Sequence, residues 1–148
     1  MEDNKNQDIK QYIVAKIGHE QYGINIQFVQ NIERILNITR VPKAPHHIKG
    51  VINLRGDIIP VMSLRLKFGL DKDEYTNNTR IIIVKLDGNA MGIIVDEVKE
   101  VINLVDDDIE KVSKDSNDDK GIYTQGIGKI EEELFTLLNL DGLINTND

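Results

Sequence analysis

No cysteine occurs in the 148 residues, which excludes disulfide frameworks, thiolate nucleophiles and cysteine-ligated zinc or iron–sulfur sites. A chain without thiols suits a reducing, cytosolic compartment. Tryptophan is also absent, and with 4 Tyr and 3 Phe the chain is too poor in aromatics for a base-stacking platform. Positive charge is in deficit: 18 basic side chains against 25 acidic ones give a net charge of −7. Phosphate backbones are bound by basic surfaces that release counterions, so nucleic acid is a poor candidate partner. No run approaches the ~18 consecutive apolar residues of a membrane helix, so no direct membrane insertion is expected. Met1 to Lys10 is polar with no apolar stretch behind it, so no signal peptide is expected either.

Catalytic chemistry is equally thin. The serines are Ser63, Ser113 and Ser116, none of them in a Gly-x-Ser-x-Gly elbow. The histidines, His19, His46 and His47, lack any His-x-x-x-His helix face and read as structural or solvent-facing. Asp115, Asn117 and Asp119 have calcium-loop spacing, but Lys120 stands where the sharp-turn glycine is required and Gly126 where the bidentate glutamate belongs. Gly126-Ile127-Gly128 begins a dinucleotide fingerprint that Glu131 breaks. Glycines at those positions instead permit a bulge or close strand packing. An acidic pair such as Asp96 and Glu97 is the remaining enzyme candidate, weakened because adjacent strand residues face opposite sides. The expectation is a binding protein with no catalytic residue, no cofactor and no metal.

What the chain has is isoleucine: 23 Ile and 11 Val against 12 Leu and 3 Ala. β-Branched side chains fit a pleated sheet and lose freedom in helices, so the fold is mostly β. At 40% apolar and 29% charged it is globular, and its length suits one domain. Strands are predicted over Tyr12 to Ile17, Gly50 to Arg55, Ile58 to Met62, Arg80 to Leu86, Ala90 to Val95, Val98 to Leu104, Gly121 to Ile130 and Leu134 to Leu140. Asp87-Gly88-Asn89 is a hairpin signal, and Gly18-His19-Glu20-Gln21 joins the first two strands. Pro60 cannot donate to a ladder, which predicts an edge or a bulge for its strand. Asn25 is placed to cap a short helix through about Gln30, with Ile26 and Val29 as its apolar face. Asp106 to Val112 is expected to make one helical turn and Asp141 to Asn145 another, with Lys111 to Lys120 an exposed loop.

The segment Ile48-Lys49-Gly50-Val51-Ile52-Asn53-Leu54-Arg55-Gly56-Asp57-Ile58-Ile59-Pro60-Val61 resembles the signature of the CheW family, the adaptors of bacterial chemotaxis. Two further blocks are similar in order: Tyr22 to Ile26 with Val29 to Ile32, and Met91 to Asp96 with Val98 and Val101. The resemblance covers about Gln11 to Ile144. It implies two interlocked five-stranded SH3-like β-barrel subdomains with short helices, in one domain over residues 11–145, between a polar lead (1–10) and a short tail (146–148).

The resemblance also implies a non-enzymatic role. CheW proteins couple the signalling tips of transmembrane chemoreceptors (methyl-accepting chemotaxis proteins) to the regulatory domain of the histidine kinase CheA, in the cytoplasm at membrane-associated arrays. Val29, Asn31, Gly50, Arg55, Gly56, Val98 and Val101 align with receptor-binding positions. Ile13 and Ile26 are assigned to the kinase-facing surface. A module of a larger signalling protein, CheV-type or like the CheA regulatory domain, is the alternative, and the chain's length favours the stand-alone adaptor. The sequence departs from the family at Asn31, where many members carry glutamate, and at Ser63, which replaces a common aspartate.

Overall fold

The computed structural model describes residues 8–112 and 123–145. Eleven strands form among them: β1 (Lys10–Ile17), β2 (Glu20–Asn25), β3 (Val29–Arg34), β4 (Ile48–Leu54), β5 (Asp57–Ser63), β6 (Arg80–Leu86), β7 (Asn89–Val95), β8 (Glu97–Leu104), β9 (Ile109–Lys111), β10 (Thr124–Ile130) and β11 (Glu133–Leu138). The helices are short, α1 (Leu64–Lys67) and α2 (Leu140–Asn145), with single 3-10 turns at Ile26–Phe28 and Asp106–Asp108.

One sheet has six strands in the order β8-β1-β2-β11-β10-β9, the other five in the order β3-β6-β7-β5-β4. The five-stranded sheet is thus inserted in the chain between β2 and β8 of the other, which is the interlocking that the resemblance implies. The expected count of five strands in each is corrected by β9. That strand is only three residues long, and Gly126 to Gly128 of β10 supply its partner.

Three apolar clusters hold this arrangement. Alternation along β1 sends Tyr12 and Val14 into a core within the six-stranded sheet, and Ile13, Ala15 and Ile17 into a core between the sheets. β6 divides likewise: Ile82 and Val84 enter the shared core, while Ile81 and Ile83 enter the core of the five-stranded sheet. Strands buried on both faces read as unbroken apolar runs, which explains Ile81-Ile82-Ile83-Val84.

The turns follow the residues. Asp87 and Gly88 have φ of 54° and 83°, the two positive values that a tight hairpin needs. Asn25 caps as expected, its Oδ1 accepting the Gln27 N–H at 3.0 Å. The predicted helix through Gln30 is corrected, however: it stops after Phe28, and Val29 already begins β3. Asp106 to Val112 is likewise a 3-10 turn running into β9. Lys111 therefore belongs to a strand, and residues 113–120 of the predicted loop, with the calcium-like Asp115 to Asp119, lie outside the described residues.

Pro60 sits in an interior strand and not at an edge, and the register shift nearest to it lies in its partner β4, between Ile48 and Gly50. Pro60 pairs with Val51 of β4 on one side, and the parallel ladder to β7 begins only at Val61, so no bond from β5 to β7 is lost at the proline. The glycine expectation holds: the β10–β11 register shifts between Thr124 and Gly126. A β-carbon on Gly126 would lie 2.9 Å from the Glu110 carbonyl oxygen, and one on Gly128 would lie 2.7 Å from Leu104 Cδ1.

Candidate interaction surface

Two edge strands carry matching irregularities. In β8, Glu100 pairs with Val14 and Val98 with Ala15, leaving Lys99 as a bulge. Val98 and Val101 are three residues apart and in a regular strand would face opposite sides. The bulge turns both onto the face of Ala15 and Ile13, toward the shared core. In β3 the register shifts between Val29 and Asn31, so that Val29 opposes Val84 and Ile32 opposes Ile82. Those two partners also belong to the shared core.

Each edge strand thus presents one apolar residue packed against that core and one left in solvent. Val29 and Val98 are the packed pair. Ile32 and Val101 are 42% and 50% exposed. Ile32, which the sequence reading did not single out, has the same spacing from Val29 that Val101 has from Val98.

Asn31 faces the other way, opposite Ile83, and its Nδ2 donates to Glu33 Oε2 at 3.1 Å. Glutamate is absent at position 31, but a carboxylate stands two residues along the same face. The Arg55-Gly56 turn closes the β4–β5 hairpin of the five-stranded sheet, with φ of 53° and 91°. Arg55 is exposed and has no hydrogen-bond or ion-pair partner among the described residues. Its turn is organised instead by Asn53, whose Oδ1 accepts the Gly56 N–H at 3.1 Å. This Asx chemistry was available in the sequence as Asn-x-x-Gly.

Gly50 is buried at φ 148°, where the carbonyl oxygen of Thr39 occupies the place of any β-carbon. Thr39 and Val51 exchange backbone hydrogen bonds at 2.8 Å in both directions, drawing Ile35 to Thr39 across β4. Gly50 therefore acts through the chain's own backbone, not as a contact surface.

Ile13 is corrected. It is 4% exposed inside the shared core, because both faces of β1 are covered, and it is closed to any partner. Ile26, on the 3-10 turn between the sheets, is at the surface. The expected surface residues are consequently spread over both sheets, with the apolar ones gathered at edges of the shared core and Arg55 and Gly56 on a hairpin tip.

Two polar groups lie near α1. Ser63 is fully buried; its hydroxyl accepts the Leu66 N–H at 3.1 Å to cap the helix and donates to Asp73 Oδ2. Burial pushes the Asp73 carboxyl above the usual range, against the pull of the Ser63 bond and of Lys49 and Arg65; Asp96 adds to the push. Asp73 Oδ1 is buried without a hydrogen-bond partner. Asp96 accepts from Arg65 Nε at 2.9 Å and from a second guanidinium nitrogen at 2.6 Å. It also accepts the Gly18 N–H at 2.8 Å. Partial burial pushes this carboxyl up, but the bonds from Arg65 and Gly18 and the charges of Arg65 and Lys16 hold it below the usual range. A carboxylate so engaged is no free base, which removes the Asp96–Glu97 candidate.

Among the described residues no helix is long and apolar enough to cross a membrane. The CheW-like domain family matches residues 11–148. The chain is 35% identical over 139 residues to the chemotaxis protein CheW of Helicobacter pylori, covering 94% of this chain and 84% of that protein. It is 34% identical over 133 residues to the chemotaxis protein CheW of Bacillus subtilis, covering 90% and 85%. The chemotaxis protein CheV3 of H. pylori is 32% identical over 122 residues, 81% of this chain but 39% of that protein. Among solved structures, the scaffolding protein CheW of Thermoanaerobacter tengcongensis superposes with a TM-score of 0.86 at 35% identity, covering 95% of each chain.

Proposed function

The chain belongs to the CheW-like domain family of chemotaxis scaffold proteins, and on that premise we propose that it couples chemoreceptor signalling tips to the regulatory domain of the histidine kinase CheA. The observation that carries this reading is the pair of bulged edge strands. They set Val29 and Ile32 on one sheet, and Val98 and Val101 on the other, at borders of one shared core. An amphipathic receptor helix lays apolar anchors spaced about three and four residues apart into such a groove. Arg55, exposed and without a partner among the described residues, supplies a five-donor fork for a receptor carboxylate or carbonyl.

The same reading places the kinase contact around Ile26, on the surface of the crossover between the sheets, and the working location in the cytoplasm at receptor arrays. It requires no catalytic group or cofactor. The alternative is a CheV-type module, and the similarity to part of CheV3 is what supports it.

The test is an NMR titration of labelled protein with a receptor-tip fragment and, separately, with a kinase regulatory domain, at micromolar to millimolar concentrations because such signalling interfaces are small and weak. The expected outcome is two distinct perturbed surfaces, the receptor one including Val29, Val98, Val101 and the Arg55 turn. A folded sample that shows no shifts with either partner would overturn the reading.

A further inference from the structure

The chain passes between the two sheets at two places, out of the six-stranded sheet after β2 and back into it after β7. One is the 3-10 turn Ile26–Phe28; the other is a single residue, Asp96, between β7 and β8. Asp96 bonds in both directions from that point. Its carboxylate takes the Arg65 guanidinium of α1, which follows β5 directly, and the Gly18 N–H of the β1–β2 turn. Its own N–H donates to Lys16 of β1 at 3.0 Å. The guanidinium lies over Gly18, where a β-carbon would be 4.0 Å from it. Val98, packed against the shared core, is two positions further along the chain, in β8.

We infer that Asp96 and Arg65 are positioning residues: a clamp across the junction of the two sheets that fixes their relative orientation and thereby the setting of Val98 and Val101 relative to Val29 and Ile32. The inference rests on the adaptor reading for its binding consequence but not for its geometric one. A planar guanidinium donating through two of its nitrogens to the two oxygens of one carboxylate resists rotation, which a point-charge ammonium does not. Both side chains are less than a third exposed, so the pair is only partly screened by solvent. The other charged neighbours act through the same site. Asp73 and Asp71 lie on the side of Arg65, and Lys16 on the side of Asp96.

The absence of cysteine allows the geometry to be read directly. Spin labels at Lys85→Cys on β6 and Lys129→Cys on β10, both exposed, report the distance between the sheets by pulsed electron resonance. Arg65→Lys and Asp96→Asn are expected to broaden or displace that distribution while a cooperative melt persists. Receptor-tip binding should weaken about tenfold, within the usual span of coupling effects, with Arg65→Lys milder than Arg65→Gln. An unchanged distribution in every folded variant overturns the clamp, whatever the binding data show. If Asp96→Asn does not fold, the two Arg65 variants decide. If the unsubstituted protein binds no receptor tip, the adaptor reading fails and the distance measurement still judges the clamp.

Discussion

The carbonyl oxygen of Thr39 stands where a β-carbon of Gly50 would have to be. The Thr39–Val51 bridge fixes this approach, and the 148° φ of Gly50 is itself in the region that side chains avoid. Gly50→Ala is expected to cost about 3 kcal/mol or more from the clash and the backbone strain together. Chemical denaturation measures the loss, and amide exchange should locate the release at residues 35–39. A near-neutral substitution would mean that the crossing segment moves freely.

Asp73 gives a pH dependence whose sign runs opposite to that of most paired carboxylates. Burial raises its pKa, so the folded chain holds the proton more tightly than the unfolded chain does. Its contribution to stability is fully present below the unfolded value and is lost as pH rises through the folded one. Melting temperatures of the native protein and Asp73→Asn, compared between about pH 7 and pH 4, should shift in favour of the native protein as pH falls. Parallel curves would show that Asp73 ionises in the fold as it does in the open chain.

Gly126 and Gly128 separate two kinds of close approach. A β-carbon at 126 meets backbone, the Glu110 carbonyl oxygen, whereas one at 128 meets the end of the Leu104 side chain. Gly126→Ala should therefore cost more than Gly128→Ala, the first roughly 2–3 kcal/mol and the second about 1 kcal/mol. Urea midpoints rank them. Loss of β9 amide protection in the first variant alone is the matching local signature.

Asn53 and Arg55 divide structure from binding on one hairpin. Asn53→Ala removes the acceptor for Gly56 N–H and should cost about 1 kcal/mol. Arg55→Gly relieves a side chain held at φ 53° and should raise stability by a few tenths to about 1 kcal/mol. Receptor-tip affinity should nonetheless fall about tenfold, ~1.4 kcal/mol. Calorimetry and titration on the same samples make the comparison. Full affinity in Arg55→Gly would leave Arg55 without a binding role.

Strand composition and the Asp87-Gly88 turn were legible because each depends on neighbours in sequence. The helix expected after Asn25 ends at Phe28 and not near Gln30 for a specific reason. Ile26 and Val29 have helical spacing, and the bulge at β3 breaks the alternation that would have disclosed a strand. β9 depends on Gly126 to Gly128, contributed from further along the chain, so its own three residues carry no signal. Ile13 is buried because both faces of β1 are covered, which a strand's period by itself does not disclose. Val29, Val98 and Val101 were located by resemblance. The relation that joins them, a bulge in each edge strand, is a property of pairing register, and so is the Arg65–Asp96 contact across two elements.

The insertion of one sheet within the other bears on how the protein is made. Lys10 pairs with Leu104, and Tyr22 with Thr136, so the first hairpin to leave the ribosome waits for most of the chain before either of its edges is covered. The five-stranded sheet, contiguous from β3 to β7, is complete at Val95, just before β8 emerges to cover the first edge and well before β11 covers the second. Translation therefore delivers a finished inner unit flanked by an unpaired apolar hairpin, and pairings of such long sequence separation are slow to form. A pause or truncation between β7 and β8 is the point at which this chain is most exposed to aggregation.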